Sequence, residues 1–495
     1  MTSLTRPARW TLELGGHNLS PDVQGRLTSL RVQQRVSLPA VCELVLVGRP
    51  FPLAEPGTAL KVGVDGTDCF SGEVTAVTLG CLPDGTQELT VRAYDRLHRL
   101  RKRSPLQARS DLTLSGLASD LAASLSLTLD LDAGLPGPVW TSHLQTGASD
   151  FQLLSDLAER VGASFMVTGE RLRIYGPGGA GDPVPLVLGN TLLEAAIAHN
   201  VEALRDGVHV TGWDLQRSEA VNGRAALEDG DPLPGDFGAT DRELAGLELG
   251  AQQAQTLARA ELEHGAASVW TLQGAASGDP RLAPGTNVSV SGLGSGWDRT
   301  FTLTEVTHTL DPRLGYLSEV SSRPPPRRPL TSGSGAVATL GVVTDVQDPL
   351  IQGRVRVALS AYGDLQGDWM PVVGVAAGSG KGLMALPDTG DRVLALLTRG
   401  DPAQGVVLGG LYGPDGPADA GLTGEGVRRY TLRTAAGERL LLDADRGGVT
   451  VQDRAGSTLE FLPGGVRLSA QADLLIEAPG RRITIRADRI DFERG

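Results

Sequence analysis

The sequence has few aromatic residues. They make up 4% of its 495 residues, while glycine occurs 65 times and proline 30 times. A chain this long exceeds one compact domain, and few aromatic side chains are available to build large packed cores. Frequent glycine and proline favour short strands joined by tight turns. The composition therefore predicts a mainly β, multidomain protein.

Long apolar runs are also missing. No segment approaches the roughly 20 apolar residues that a membrane span requires, and the first residues lack the apolar core of a signal peptide. The three cysteines, Cys42, Cys69 and Cys81, share no CxxC spacing, so neither a zinc site nor a disulfide framework is predicted. We expect a protein made in the cytoplasm without a signal peptide and without stable membrane anchoring.

Positive charge is in deficit, because the formal net charge is -13. An acidic surface repels phosphate backbones, so nucleic acid is not an expected partner. The basic run at residues 96–103 has no interleaved aromatic residues, and we interpret it as an inter-subunit or tube-facing ion-pair surface.

Catalytic motifs are absent as well. The stretch at 378–382, Gly-Ser-Gly-Lys-Gly, lacks the first glycine of a phosphate-binding loop because position 375 is valine, and Gly382 follows the lysine where Ser or Thr is needed. Neither a Gly-x-Ser-x-Gly elbow nor a His-Glu-x-x-His pair occurs. Glu261, Glu263 and His264 are clustered, but neighbouring positions on a helix point in different directions. We therefore predict no catalytic residues, no cofactor and no metal.

Hydrophobic periodicity divides the first 320 residues. Residues 1–95 alternate in the manner of strands, whereas leucines at 114–125 and apolar residues at 151–158 recur at helical spacing. Ser149 or Asp150 can cap the second helix, and Gly162 can end it. Strands return between 200 and 320, interrupted by a predicted helix near 249–264.

A proline-rich and then Gly/Ser-rich segment at 321–335 marks the clearest boundary. Beyond it, a compact region has the strand pattern of a five-stranded OB barrel. The predicted strands are 338–346, 353–359, 370–376, 391–398 and 405–411.

The last 70 residues repeat apolar-polar-apolar triplets every seven to ten residues. A single layer of such short strands cannot bury its apolar face or protect its edges. Three copies wound around one axis would do both, and a small sandwich folding alone is the alternative. The triplets are 440–442, 449–451, 459–461, 466–468, 474–476, 483–485 and 490–492.

Several segments resemble VgrG proteins and related phage baseplate hub and spike proteins. They extend over nearly the whole chain and follow one another in the family's own order. The most specific is the stretch at 386–412, which has a Pro-x-x-Gly-Asp turn, a strand, a Gly-Asp-Pro turn and a closing strand. Other matching segments are Phe70-Ser-Gly-Glu-Val-Thr, Tyr94-Asp-Arg-Leu-His-Arg-Leu, Ser149-Asp-Phe-Gln-Leu-Leu and Thr434-Ala-Ala-Gly-Glu-Arg-Leu-Leu-Leu-Asp.

The resemblance implies β-barrel hub domains with an α+β section, an OB-fold collar and a C-terminal triple-stranded β-helix in a homotrimer. The implied boundaries are 1–100 for the first hub barrel, 101–200 for the α+β domain, 201–325 for the second hub barrel, 326–337 for a linker, 338–413 for the collar and 430–495 for the spike.

By the same resemblance, the protein is a structural hub–spike of a contractile injection apparatus. It would adapt a six-fold tail tube to a three-fold tip and be driven through a target envelope when a sheath contracts. The resemblance implies tail tube proteins, baseplate proteins and a PAAR-type tip protein as partners. Effector cargo is a further partner that the resemblance allows without requiring it. The expected location is a phage-tail-like particle, delivered outside the cell on contraction.

Structural residues carry this prediction. Collar turns are assigned to Gly390, Asp391, Gly400, Asp401 and Pro402, and the spike trimer core to Ile476, Ile483, Ile485, Ile490 and Phe492. Two alternatives are a spike with a cell-wall hydrolase activity in residues 100–260 and a receptor-binding fibre. The gap between collar and repeats, 413–426, is too short for an inserted lysozyme domain.

Overall fold

The computed structural model describes residues 9–49, 51, 54–214, 219–227, 241–294, 296–311, 315–327, 335–398, 405–413 and 416–493. It is mostly β, with 47% of residues in strands and 12% in helices, which confirms the predicted fold class. The chain divides into two compact units, Met1–Gly410 and Leu411–Gly495.

The first part of the chain is an antiparallel sheet followed by a 3-10 helix. Alternating apolar residues of its strands, such as Leu30, Val32, Leu44 and Leu46, are buried on one face. The elements are β1 Trp10–Leu14, β2 His17–Asn18, α1 Pro21–Gln24, β3 Leu27–Arg35, β4 Val41–Val47, β5 Ala59–Val64, β6 Thr67–Cys81, β7 Gln87–Tyr94 and the 3-10 helix Arg96–Lys102.

A mixed α+β section follows. Its two longer helices pack their leucines into one core with Phe165 and Ile174. The elements are β8 Gln107–Leu112, α2 Leu114–Ser124, β9 Thr128–Leu131, β10 Trp140–Gln145, α3 Asp150–Arg160, β11 Ser164–Thr168 and β12 Arg171–Tyr175. Ser149 caps α3 in a capping box with Gln152, and Gly162 follows the helix at φ +73°, as the sequence predicts.

Of the next strands, β14, β18, β21 and β22 join the large sheet. Strands β13, β19 and β20 form a second sheet, and β15, β16 and β17 form a third, against which one long helix packs. The elements are β13 Ala180–Val187, β14 Leu192–His199, β15 Gly207–Asp214, β16 Glu219–Ala226, β17 Asp241–Glu248, α4 Ala251–Ala267, β18 Trp270–Ser277, β19 Thr286–Ser291, β20 Arg299–Thr302, β21 Glu305–Asp311 and β22 Gly315–Ser321. The helix predicted near 249–264 is thus confirmed as α4.

One pairing joins regions far apart in sequence. Strand β21 runs antiparallel to β3, with Thr307 opposite Gln33, and this pairing completes an 11-stranded sheet. Strands β18, β21 and β22 of the second predicted hub barrel therefore share one continuous sheet with the strands of the first.

A buried histidine lies in this sheet at β21. His308 is 1% exposed, and its Nε2 lies 3.0 Å from the carbonyl oxygen of Leu282. The hydroxyl groups of Ser318 and Tyr316 lie 2.9 and 3.0 Å from Nδ1. A neutral ring donates from Nε2 to this carbonyl oxygen, and its Nδ1 accepts with a single lone pair that the two hydroxyl groups share. Burial lowers the pKa of His308 to about 4.

We expect His308 to make the chain lose stability as the pH falls from about 6.5 to about 4. Above this window His308 is neutral in both states, whereas within it the unfolded chain binds the proton more readily. The loss reaches roughly 3 kcal/mol at most. Measured by denaturant unfolding, the advantage of wild type over His308→Gln should shrink by this amount across the window.

Two other residues, Asp95 and His17, determine how the His308→Gln unfolding experiment is interpreted. The pKa of Asp95, raised to about 7 by burial, opposes the effect in wild type, so only the difference between the variants isolates His308. His17 is exposed, and His17→Gln is the matched control. A pH-independent difference for His308→Gln would refute the assignment.

After the linker comes a five-stranded sheet with the order β25-β24-β23-β26-β27. Its elements are β23 Val337–Asp345, β24 Arg356–Leu359, the 3-10 helix Ser360–Tyr362, β25 Leu365–Gln366, β26 Arg392–Leu397 and β27 Gly405–Leu411. The prediction of a strand at 370–376 is wrong. In that segment Met370 makes an isolated bridge to Val355, and Val372 makes one to Val407. No ladder forms, because each pairing ends after one residue.

The second unit contains a small hairpin and a meander of five-residue strands. The elements are β28 Leu422–Thr423, β29 Gly426–Val427, β30 Arg429–Arg433, β31 Arg439–Asp443, β32 Gly448–Gln452, β33 Thr458–Leu462 and β34 Gly465–Ser469. The last five strands form one antiparallel sheet in sequence order. Each predicted triplet from 440 to 468 is confirmed as part of a strand.

Candidate functional site: an uncovered apolar face

The five-stranded sheet of the second unit is strongly two-sided. Residues opposite each other in an antiparallel ladder point to the same face, so the register identifies the members of each face. Tyr430 pairs with Leu442, Leu442 with Val449, and Val449 with Phe461. All ten residues that share this face are apolar: Tyr430, Leu432, Leu440, Leu442, Val449, Val451, Leu459, Phe461, Val466 and Leu468. We call this set the apolar face.

The opposite face is mostly polar. Thr431, Glu460 and Arg467 lie on it. Leu441 and Thr450 share this face and are buried, at 8% and 6% exposed. The two faces therefore differ in chemistry over all five strands.

Little covers the apolar face within the chain. Leu442 is 45% exposed, Phe461 46% and Val466 65%. Contiguous apolar surface of this kind is uncommon on monomeric soluble proteins and marks an interaction site. The face is thus the candidate functional site of the second unit.

The triplets that follow this sheet do not form strands within the chain. In the described stretch 470–493 the recorded backbone hydrogen bond joins Arg481 N to the Ala478 carbonyl oxygen, and no ladder is present. A strand requires a partner for its N–H and C=O groups, and the described residues offer these segments none. Because the strands at 474–476, 483–485 and 490–492 were predicted for three interwound chains, they stay a prediction.

The predicted spike core residues lie in this same stretch. Ile476 is 65% exposed, Ile485 66% and Phe492 91%, while Ile483 and Ile490 are about half exposed at 49% and 48%. One chain does not bring these five side chains into a core.

Two predicted collar residues form a turn onto β23. Gly390 adopts φ +93°, and its N–H donates to the Val343 carbonyl oxygen at 2.8 Å. Asp391 Oδ2 accepts from Asp388 N at 2.8 Å. Glycine suits this position because its conformation is left-handed. The other three, Gly400, Asp401 and Pro402, lie outside the described residues.

A buried ion pair fixes the loop between β23 and β24. The Arg354 guanidinium donates to Asp348 through Nε at 3.1 Å and Nη2 at 2.7 Å. Both side chains are nearly inaccessible, at 6% and 3% exposed. Hydrogen bonds from Arg354 hold the pKa of Asp348 well below its usual range. This pair was not predicted, although its two opposite charges, six residues apart around a proline, are visible in the sequence.

The proline-rich linker is anchored on α4. Arg327 Nη1 lies 2.5 Å from Glu261 Oε1, and Arg242 Nη1 lies 2.9 Å from Glu261 Oε2. Glu261 belongs to the acidic and histidine cluster for which the sequence predicts no metal. It thus forms ion pairs with two arginines. Its neighbour Glu263 binds Arg259 at 2.6 Å. Among the described residues no group of three His, Cys, Asp or Glu could hold a metal.

Basic residues of the 96–103 run have partners within the chain. Arg99 Nε donates to Glu73 Oε1 at 2.9 Å, and Arg103 Nε lies 3.2 Å from Asp150 Oδ2. Both arginines are still about half exposed, at 49% and 53%, so the inter-subunit or tube-facing role of the run stays a prediction. As for membranes, the helices of the described residues include none long and apolar enough to cross one.

Two family models match the chain. One is the type VI secretion system/phage-baseplate injector OB domain, which matches residues 339–412. The other is the Alg8 N-terminal domain, which matches residues 55–311 and so more than half of the chain. No curated protein matches.

Solved structures share the fold at low identity. The E. coli c3393 protein, a type VI secretion component similar to the T4 tail proteins gp27 and gp5, has 14% identity and a TM-score of 0.54, covering 81% of this chain and 99% of its own. The half-lidded Francisella PdpA-VgrG complex has 9% identity and a TM-score of 0.56, with 94% and 88% covered. The 43 kDa prophage tail protein from Shewanella oneidensis has 15% identity and a TM-score of 0.51, with 63% and 97% covered.

Proposed function

The chain belongs to the family of the Alg8 N-terminal domain and is a VgrG-like hub–spike protein of the phage-tail and type VI secretion class, and we propose that it works as a homotrimer. In this proposal three copies adapt a six-fold tail tube to a three-fold piercing tip. Sheath contraction then drives the assembly through a target envelope.

The apolar face carries the proposal. Ten apolar side chains on one side of a single-layered sheet need a cover, and burying what is still exposed yields roughly 1 kcal/mol per side chain. About 10 kcal/mol per chain is therefore available to an assembly that turns these faces inward. Three identical sheets around one axis use this free energy without any other protein.

The unpaired segment at 470–493 supports the same arrangement. Backbone groups without partners in the chain can pair with the equivalent segments of two neighbouring chains. Ile476, Ile483, Ile485, Ile490 and Phe492 would then face the axis and form the core of a triple-stranded β-helix. The structural spike domain is proposed at 430–495, the collar at 338–413 and the linker at 326–337. The hub regions are proposed at 1–100, 101–200 and 201–325.

A mechanical role requires rigidity rather than reactive groups. Interchain ladders and a dry apolar axis resist bending, because each displaced strand would expose hydrogen-bonding groups and apolar surface together. We propose that the protein is not an enzyme and that its collar turns at Gly390, Asp391, Gly400, Asp401 and Pro402 are structural.

Further partners follow from the same proposal. Tail tube and baseplate proteins would bind the hub, and a PAAR-type tip protein would cover the end near Phe492. The protein would be made in the cytoplasm and leave the cell as part of a phage-tail-like particle. A receptor-binding fibre and a hub hydrolase remain the alternatives to test against.

Hydrogen exchange tests the paired state of the tail directly. If three chains pair, backbone amides in 474–492 should exchange at least about a hundredfold more slowly than unprotected amides, because their opening requires chain separation. Mass spectrometry of the purified full chain measures this. Exchange at unprotected rates would contradict the β-helix.

A further inference from the structure

A large cavity lies in the first unit of the chain. Its volume is about 610 Å³, within the roughly 300–1,000 Å³ of pockets that bind small organic ligands. Helices α3 and α4, strand β20 and the proline segment at 324–326 all contribute to its wall. Voids larger than a water molecule are few in close-packed interiors, so a cavity of this size is a candidate binding site.

The wall of the cavity is mostly apolar. Hydroxyl groups on it are used within the chain, since Ser155 donates to the Phe151 carbonyl oxygen at 2.8 Å. Likewise, Ser322 accepts from Leu272 N at 2.8 Å. An occupant therefore meets mainly hydrocarbon, which favours an apolar body over a sugar or a nucleotide. The apolar wall residues include Phe151, Ala163, Ala260, Ala267, Leu303 and Pro325.

Arg299 brings a positive charge to this wall. Its guanidinium carbon lies 3.2 Å from the centroid of the Trp270 ring, on which the His199 ring stacks at 3.9 Å between centroids. Two groups this close to one indole must occupy its two faces, so the arginine is held in place. One of its five N–H groups is bonded, from Nη2 to the Gly296 carbonyl oxygen at 3.1 Å. Among the described residues no carboxylate forms an ion pair with Arg299.

The other charged groups of the wall have partners. Glu263 pairs with Arg259 at 2.6 Å, and Arg327 pairs with Glu261 at 2.5 Å. Glu159 also has a partner within the chain. These groups therefore need no counter-charge from an occupant.

His264 adds no charge to the wall at neutral pH. Burial, together with the positive charge of Arg327, lowers the pKa of His264 to about 4. Within the described residues, Arg299 is thus the unmatched charge that the wall presents to an occupant.

We infer that the cavity binds a single-chain aliphatic carboxylate, whose head group pairs with Arg299 and whose chain lies against the apolar wall. A guanidinium suits a carboxylate because its fork of N–H groups matches the two oxygens. A phosphate head carries about two negative charges and three acceptor oxygens, more than one arginine matches. The inference concerns the hub region and does not depend on the proposed trimer.

Calorimetric titration of the full chain at neutral pH tests the site. The probes are octanoate, decanoate and dodecanoate, each below its micelle concentration. We expect saturable binding of one carboxylate per chain, with the dissociation constant falling roughly fourfold for each added methylene. Decyltrimethylammonium has the chain of decanoate with a positive head and should bind at least about tenfold more weakly.

Substitutions separate the contribution of the head group from that of the chain. Arg299→Gln removes the charge and should weaken decanoate binding by at least about tenfold, whereas Arg299→Lys should retain part of the affinity. Ala267→Trp fills part of the cavity from an exposed position at the end of α4 and should weaken binding of all three carboxylates. Arg171→Gln is the matched control, because Arg171 is exposed and lies outside the wall, and it should leave the dissociation constant unchanged.

Three results would overturn the inference. They are the absence of saturable binding by any of the carboxylates, equal affinity for decanoate and decyltrimethylammonium, and binding that neither Arg299→Gln nor Ala267→Trp weakens. The melting temperature of each variant shows whether it is folded, and Ala267→Trp tests the site without removing Arg299. The solution mass of the chain is a separate measurement, so failure of this site leaves the proposed trimer standing.

Discussion

Leu442→Asp is expected to convert the trimer into monomers. Leu442 lies in the middle of the apolar face, flanked by Tyr430 and Val449. Three copies of the substitution would bring three carboxylates into a dry axis, where an unpaired charge costs several kcal/mol even after relaxation. Solution mass measured by light scattering should fall from three chains to one.

The opposite face of the same strands supplies the matched control. Thr431→Asp introduces the same carboxylate on the solvated side, where it stays hydrated, and should leave the mass at three chains. Ile485→Asp, in the unpaired segment at 470–493, should also reduce the solution mass to one chain if the Ile485 side chain faces the axis. Trimers that persist in Leu442→Asp would show that the apolar face is not the interface.

Asp348→Ala should destabilise the OB domain by about 3 kcal/mol. The substitution leaves the Arg354 guanidinium, 6% exposed, without its carboxylate, and removes the acceptor of two loop amides. Breaking one side of a buried pair costs more than the pair itself contributes, because the remaining charge stays desolvated. Hydrogen exchange of β24 amides reports the free energy of opening in the full chain.

A surface pair provides the comparison. Glu43 Oε2 lies 2.8 Å from Arg92 Nη2, and the two side chains are 39% and 52% exposed. Glu43→Ala should therefore lower the free energy of unfolding by less than about 1 kcal/mol. The Asp348 contribution should also decline in acid, since its pKa is lowered in the folded state and protonation removes the pair. A cost for Asp348→Ala equal to that of Glu43→Ala would contradict the role given to this pair.

Local patterns carried much of the fold prediction. Helices α2 and α3 follow from the spacing of their apolar residues, and the cap at Ser149 marks the start of α3. Helix α4 follows from a segment rich in Ala, Gln, Leu and Glu, and strands β31 to β34 follow from the triplets. These features depend on neighbours within a few residues, which the sequence displays. The apolar face was implied by the same triplets, since alternation fixes which residues share a side.

Non-local features escaped the sequence. The pairing of β21 with β3 joins residues about 270 positions apart, and no local pattern specifies such a register. The segment 370–376 alternates like a strand but meets only one partner residue on each side. The segments 474–492 have strand chemistry without strand partners, because a single chain lacks the ladder that the proposed trimer would supply.

The sequence therefore predicted only part of the candidate site. Sequence reasoning placed the trimer core at Ile476, Ile483, Ile485, Ile490 and Phe492, whereas the most complete apolar surface lies earlier, at Tyr430 to Leu468. Eight of its members were visible as ends of triplets, and Tyr430 and Leu432 were not. Only the strand register shows that all ten share one face. The positive φ of Ile351, +52°, had no sequence signal, since it depends on the folded loop.

The solution mass of the full chain, measured by light scattering at several concentrations, tests the central proposal most directly. Three chains of 51.7 kDa, with a mass that does not change on dilution, are the predicted result. A mass of one chain at every concentration would contradict the trimer, and with it the spike.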